Sequence, residues 1–378
     1  MIRFLILFLF NLTLQSFTAQ QIRIGIYHSQ KITAARFTPK NGLYFIFSDT
    51  NLIAKAETND VLEMKVTPNN QFELIMNEIS LGFFSSLTFV SDKNENYLET
   101  KITKPNLKPR LYEGDFSCSW VKNHLEIVNE IDLEDYLEGV VESEAGYGQK
   151  MEYYKVQAII SRTYAVKYRS KHEKSGFNLC DGTHCQAYFH KRNQTSLIDS
   201  AVRYTRRAVL IDSTNELSAT FFHANCGGQT CEPDAVWNQK MIGFSSFKDT
   251  FCVHTSQAKW TKKIPLKDWF SFLEEKYHFP TWDSLSYSLA INFAQDERKA
   301  FYINPFYGIP LRDIREAFNL KSTYFGCKKE GEFIVLNGRG FGHGVGLCQE
   351  GAMNMAKKGI NYEQILNFYF PERKVTKY

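Results

Sequence analysis

Three groups of residues in this chain have types and spacings that can do chemistry. The first is a run of carboxylates, Glu134, Glu138, Glu142 and Glu144. On a helix the first three are four apart and form one acidic stripe, which reads as a solvated face. Glu144 falls four after Val140 and seven after Leu137, on the apolar side. A carboxyl group there loses hydration, which raises its pKa and keeps it protonated near neutral pH, the state a general acid needs. The alternative is a helix that frays at Ser143 and leaves Glu144 in water. The second group is His172, Cys180, His184 and Cys185, with His190 just beyond. Two thiolates and two imidazoles suit tetrahedral zinc, although adjacent His184 and Cys185 must both turn inward. A Cys180–Cys185 disulfide beside exposed histidines is the alternative, and a thiol nucleophile with a His base is a third. The last group is rich in glycine: Cys226, Gly227 and Gly228 followed by Cys231, and the stretch Gly338 to Gly346 that displays His343. Alternating glycines let a backbone crowd a neighbour or a substrate. A tight structural bend is the competing reading. The stretch lacks the Gly-Lys-Ser/Thr ending of a phosphate loop and the glycine spacing of a dinucleotide site.

These residues need elements to hold them. The strand pattern His124–Asn129 leads to Asp132, a good N-cap for a helix from Leu133 to about Ser143. A second helix spans about Met151 to Ser170. Its apolar residues Val156, Ile159 and Ile160 and its small residues Ala158, Ser161 and Ala165 leave it largely buried. Arg162 lies in its middle, and a buried guanidinium needs an anionic partner, either Glu144 or another carboxylate. A short helix near 196–205, strands near 208–211 and 218–222, and two C-terminal helices follow. Asn361 with Gln364 three residues on is a capping-box pattern for the last. Residues 20–110 read as β structure. Short alternating runs at 22–27, 43–47, 61–66, 72–75 and 87–90 are separated by turn signals. The expected fold class is α+β, with a smaller β-rich N-terminal region (20–110) before a mixed helix/β domain (111–378).

Composition narrows the classes. Hydrophobic residues make up 43% and charged residues 23%, a soluble globular profile. The net charge of +4 is too small to argue for a nucleic-acid partner. Aromatics reach 15%, which suits an aromatic core first and a ring-lined groove second. Arg3 and the apolar run Phe4–Leu14 lay out a secretory signal peptide, residues 1–19, too short to span a membrane. No later segment is apolar enough to cross one, so the mature chain is expected to be exported. In an oxidising compartment Cys226–Cys231 reads as a disulfide, and the pairing of Cys118, Cys252, Cys327 and Cys348 stays open.

Five segments in order resemble the SpoIID/LytB family of bacterial cell-wall proteins. They are LEDYLEGVVESE (133–144), QAIISRTYA (157–165), CDGTHCQAY (180–188), NCGGQT (225–230) and GHGVGLCQEGA (342–352). The resemblance covers roughly residues 111–378. It implies a peptidoglycan-directed role, with the process served, whether sporulation, division or wall turnover, left open. Sporulation members are lytic transglycosylases acting on peptide-stripped glycan, and LytB-type members are amidase enhancers, which would add a cell-wall amidase as a partner. The family's catalytic Glu falls on Glu144. Arg162, Tyr164, Gln186, Tyr188, Gly227, Gly228, His343 and Gln349 fall in motif positions that imply a substrate groove. Some members bind zinc through a Cys/His cluster, which favours structural zinc at His172, Cys180, His184 and Cys185. One departure is that Ala145-Gly146 follows the Glu, where the family often has Met-Pro. A non-catalytic wall-binding module and a zinc hydrolase acting on stem peptides are the competing functions. The last is weakly supported, because no acidic residue sits at the usual spacing for a metal-water base.

Overall fold

The computed structural model describes residues 20–190 and 196–378, so the expected signal peptide lies outside the described residues. The N-terminal strands form two facing sheets. One has seven strands, ordered Leu179–Cys180, Gln21–Ile26, His124–Asp132, Asp115–Val121, Ser86–Ser91, Tyr44–Ser48 and Asn51–Ala56. The other has six, ordered Arg110–Glu113, Tyr97–Lys104, Ala34–Asn41, Leu62–Thr67, Gln71–Met76 and Ile79–Phe84. Alternation along each strand puts Phe37, Phe72 and Leu74 of one sheet and Ile46, Leu87 and Phe89 of the other into one core. Phe37 and Phe89 touch across it, ring centroids 5.3 Å apart.

The five expected β runs all form strands. Residue 110 is not a boundary in packing, however. Gln21–Ile26 pairs along its length with His124–Asp132, and Ser86–Ser91 pairs with Asp115–Val121. The β-rich region and the start of the helical region therefore share a sheet and a core.

Strand His124–Asp132 runs directly into helix α1 (Leu133–Ala145), which Asp132 caps by accepting the Glu134 N–H at 2.8 Å. Helix α2 (Met151–Lys167) follows, and every residue from Tyr153 to Ala165 is buried. Arg162 has no solvent exposure. Its partner is Glu134, at 2.6 and 3.0 Å, and its remaining N–H groups reach the carbonyls of Ala208 and Val202. This corrects two expectations. Arg162 does not face a groove, and the acidic stripe is not solvated: Glu134 is an internal counter-ion, and Glu142 is buried and accepts the Tyr147 hydroxyl at 2.7 Å.

A second core sits on a four-stranded sheet ordered Lys259–Pro265, Phe333–Arg339, Phe325–Glu330 and Asn292–Phe293, around Trp269 and Tyr302. Two short parallel strands, Phe222–His223 and Leu347–Cys348, then join the two glycine-rich segments. Removing one partner of a buried ion pair leaves the other charge stranded. Arg162→Met should thus lower stability by roughly 3–5 kcal/mol in denaturant unfolding. A loss below about 1 kcal/mol, the range of exposed pairs, would show that the pair does not hold the two helices.

Candidate functional site

Helix α1 does not fray at Ser143. It continues through Glu144 to Ala145 and ends where Gly146 takes φ 65°, its N–H bonded to the Glu142 carbonyl. The departure from Met-Pro thus still yields a sharp stop, made here by a glycine in a conformation that suits it. The stop leaves the Glu144 carboxyl facing a groove of about 670 Å³. Its Oε1 accepts the Ala187 N–H at 2.7 Å, and Gln349 donates to its main-chain carbonyl at 3.3 Å. Burial pushes its pKa up to about 7, against the smaller opposing effect of the Ala187 hydrogen bond. Among the described residues lining the groove, Glu144 is the one carboxylate.

The opposite wall is aromatic and imidazole-rich. Trp237 and Phe341 stand half-exposed at its lip, and Phe221 packs on Trp237 at 4.7 Å. His343 accepts the Val345 N–H at Nδ1, so in its neutral form the proton sits on Nε2. Burial, then the charge of Arg315, pushes its pKa down to about 4. His223 is buried, with Nδ1 3.1 Å from the Val345 carbonyl and Nε2 without a partner. Burial and His343 hold its pKa well below the usual imidazole range. Both rings are neutral at pH 7.

The glycines of this wall allow close approach of backbone. A Cβ on Gly346 would lie 2.2 Å from the Phe221 carbonyl, and one on Gly340 would lie 2.6 Å from that of Asn225. Asn225 and Phe341 exchange both of their backbone hydrogen bonds, which clamps the two segments together.

At one end of the groove, His172, Cys180, His184 and Cys185 converge, their ligand atoms all within 4.8 Å of one another. Cys185 Sγ lies 3.4 Å from His172 Nε2 and 3.9 Å from His184 Nδ1, and Cys180 Sγ lies 3.8 Å from His184 Nδ1. Zinc–ligand bonds of about 2.0–2.3 Å set tetrahedral S···N separations near ~3.6 Å, so the four donors fit zinc. The adjacent His184 and Cys185 both turn inward because a tight turn, Cys185 N–H to Gly182 O at 2.9 Å, reverses the chain there. The Cys180 thiol is pushed down, first by a hydrogen bond from Cys185. Burial holds His172 toward its neutral, ligating form.

Comparison with known proteins bears on this arrangement. The family model described as Stage II sporulation protein matches residues 121–211, which hold α1, α2 and the Cys/His cluster. A Bacillus subtilis protein named Stage II sporulation protein D is 30% identical over 269 residues, covering 66% of this chain and 76% of that protein. This chain belongs to the SpoIID/LytB family. An uncharacterized protein of Brachyspira hyodysenteriae is 31% identical over 250 residues, covering 65% of this chain and 66% of its own length. A Bacillus subtilis protein named Amidase enhancer is 25% identical over 390 residues, covering 88% of this chain. The chain spans just under two thirds of the Brachyspira protein and 54% of the Amidase enhancer.

The SpoIID/LytB motif positions divide in space. Glu144, Tyr164, His343 and Gln349 line the groove. Gln186 and Tyr188 do not: both are buried, Gln186 against Tyr136 and Ser161, and Tyr188 edge-on to Tyr136 with its hydroxyl on Asn129. They form the floor that α1 and α2 pack over. Gly227 and Gly228 line a separate depression of about 380 Å³ with Tyr324 and Arg339. Cys226 and Cys231 do not pair as expected. The Cys226 sulfur faces Cys252 at 3.3 Å, while Cys231 lies by Arg298 and Gly344. Sequence reasoning missed Phe221, Trp237, Arg315 and Phe341 as groove residues. Phe341 directly precedes the segment 342–352, whereas Phe221, Trp237 and Arg315 lie outside all five segments.

Because the folded carboxyl of Glu144 titrates near 7 and an unfolded one near 4.5, the native state holds more protons across that window. Stability is therefore lost as pH rises through it, by at most ~3.4 kcal/mol at 1.36 kcal/mol per pKa unit. Glu144→Gln keeps an acceptor for Ala187 but cannot ionise. It should melt higher than wild type at pH 8 and match it at pH 4.5. Equal melting temperatures at both pH values would refute the desolvated carboxyl.

Proposed function

We propose that this protein is an exported lytic transglycosylase of peptidoglycan, with Glu144 as its general acid and base. The carrying observation is a desolvated carboxyl in an aromatic-lipped groove whose described lining holds no second carboxylate. Hydrolytic glycosidases place a second carboxylate opposite the first, as nucleophile or to activate water. A reaction whose nucleophile belongs to the substrate needs only one.

In this mechanism Glu144, in its acid form, protonates the glycosidic oxygen between N-acetylmuramic acid and N-acetylglucosamine. The bond to C1 breaks through an oxocarbenium-like transition state. The resulting carboxylate takes the proton of the muramoyl C6 hydroxyl, whose oxygen bonds to C1 and closes a 1,6-anhydro ring. Glu144 ends protonated, ready for the next cycle. Holding the hydroxyl over C1 makes attack effectively unimolecular. Trp237 and Phe341 offer apolar faces to sugar rings, and the unpartnered Nε2 of His223 offers a buried acceptor to a sugar hydroxyl. The substrate we assign is the peptide-stripped strand.

Zinc belongs to this reading as a structural ion. His172, Cys180, His184 and Cys185 would supply four protein ligands, leaving no open position for a catalytic water. When bound it would pin the loop that carries Ala187, the donor to Glu144, and no step of the reaction passes through it. Among the described residues no helix is long and apolar enough to cross a membrane, in keeping with an exported chain. The 88% coverage of this chain by the match to a protein named Amidase enhancer supports a second reading, a wall-binding partner of an amidase.

Mass spectrometry of glycan strands, intact and peptide-free, separates the two. Anhydro-ended fragments are expected from wild type, with turnover falling at least ~10²-fold in Glu144→Gln. Because the acid form must be present, wild-type turnover should also decline as pH rises above about 7. Strand binding without fragments, unchanged by Glu144→Gln, would transfer the assignment to the amidase partner. For the metal, Cys180→Ser/Cys185→Ser should lower zinc content by one equivalent in elemental analysis. Unchanged content would remove zinc from this cluster.

A further inference from the structure

A second convergence of ligand side chains lies in the described residues, apart from the groove. Cys226, Asp249, Cys252 and Cys348 come from three separate segments, and their ligand atoms all lie within 4.8 Å of one another. All four residues have no solvent exposure. Cys226 Sγ is 3.3 Å from Cys252 Sγ and 3.3 Å from Asp249 Oδ2. Cys348 Sγ accepts the N–H of Cys226 at 3.3 Å and of Gly351 at 3.4 Å. Asp249 is oriented by the Tyr369 hydroxyl at 2.8 Å and the Phe251 N–H at 2.8 Å, and no ion pair reaches it among the described residues.

We propose that Cys226, Asp249, Cys252 and Cys348 form a second, structural metal centre that takes a thiophilic divalent cation, zinc. The donor set is one that zinc takes, three sulfurs and one carboxylate oxygen. Zinc–sulfur bonds of about 2.3 Å set tetrahedral S···S separations near ~3.8 Å, so the observed sulfurs need only small movements. A disulfide is the competing use of these thiols. It would join two of them and leave the third thiol and the carboxylate buried together with no counter-charge, an arrangement that costs free energy. Cys348 caps the helix Gln349–Lys357, its sulfur accepting the Gly351 N–H, which fixes the direction in which that sulfur faces the cluster. Residue 351 must be glycine for the cluster to close, since a Cβ there would lie 2.6 Å from Asp249 Oδ2.

The position suggests what the ion does. It ties the loop carrying Gly227 and Gly228, the turn at 249–252 and the N-cap of the helix that begins at Gln349. Gln349 in turn reaches the main chain of Glu144. The centre would hold the groove wall against α1 without touching substrate.

Zinc content of the full mature chain, purified without chelator, tests this independently of the first cluster. Cys180→Ser/Cys185→Ser protein should still hold about one equivalent, and cobalt in its place should show thiolate charge-transfer absorption. Cys252→Ser should lower wild-type content by one equivalent. Less than about a tenth of an equivalent in folded Cys180→Ser/Cys185→Ser protein would overturn the proposal, as would unchanged zinc in Cys252→Ser. A Cys226–Cys252 disulfide-linked peptide in a non-reducing digest of wild type would overturn it too, and that measurement does not depend on either variant folding.

Discussion

A guanidinium with no access to water has to be neutralised from within, and much of this molecule is arranged around the place where that happens. Arg162 sits in the middle of α2 and holds Glu134 of α1 in a two-pronged grip, while its other N–H groups take carbonyls from the segments at 202 and 208. Both helices and the strand Ala208–Ile211 are thereby fixed against one another. The neighbouring Thr163 hydroxyl accepts the Leu210 N–H at 2.9 Å, so the same strand is tied twice. The small residues of α2 let these elements come close enough for such bonds. A buried pair of this kind specifies geometry more than it adds stability, since desolvation offsets much of its attraction. Here the geometry specified is the angle at which α1 delivers its last turn.

That last turn carries Glu144. Its chemistry depends on three things set by packing: a helix that persists one residue past Ser143, a glycine that ends it immediately afterwards, and the Ala187 N–H. The hydrogen bond favours the ionised form and burial opposes it; burial dominates, leaving a group that titrates near 7. Such a group can both give and receive a proton at physiological pH, the requirement for one residue serving as acid and then base. The imidazoles across the groove are neutral, so they add hydrogen-bonding capacity without a positive charge that would lower the carboxyl's pKa.

The aromatic richness of the chain serves both uses that such residues have. Tyr112, Tyr136 and Tyr188 are core, packed in tilted and edge-on pairs at centroid distances of 4.8 and 5.2 Å. Phe221, Trp237 and Phe341 form the groove wall. Composition alone cannot sort rings into the two, because a ring in a core and a ring lining a surface groove satisfy the same local pattern.

Much of the fold was legible locally. The period-two runs of the N-terminal region, the Asp132 cap, both long helices and the Asn361/Gln364 capping box rest on neighbouring residues, and each formed where expected. Glu144 was legible too, because helical phase is a local property. The Cys/His cluster was legible because its four residues lie within one short segment. Residues whose role depends on distant partners were not. Arg162, Gln186 and Tyr188 share motifs with groove residues yet point into the core, since a motif records which residues matter and not which way they face. Trp237 and Arg315 reach the groove from segments with no signal of their own. Cys226 meets Cys252 and Cys348 instead of its neighbour Cys231, because two short parallel strands bring residue 348 alongside residue 223. Local order therefore follows from the sequence by itself. Which carboxylate faces water, which faces an arginine and which faces the groove was decided only when the segments packed, because hydration and electric field belong to the surroundings a residue is folded into.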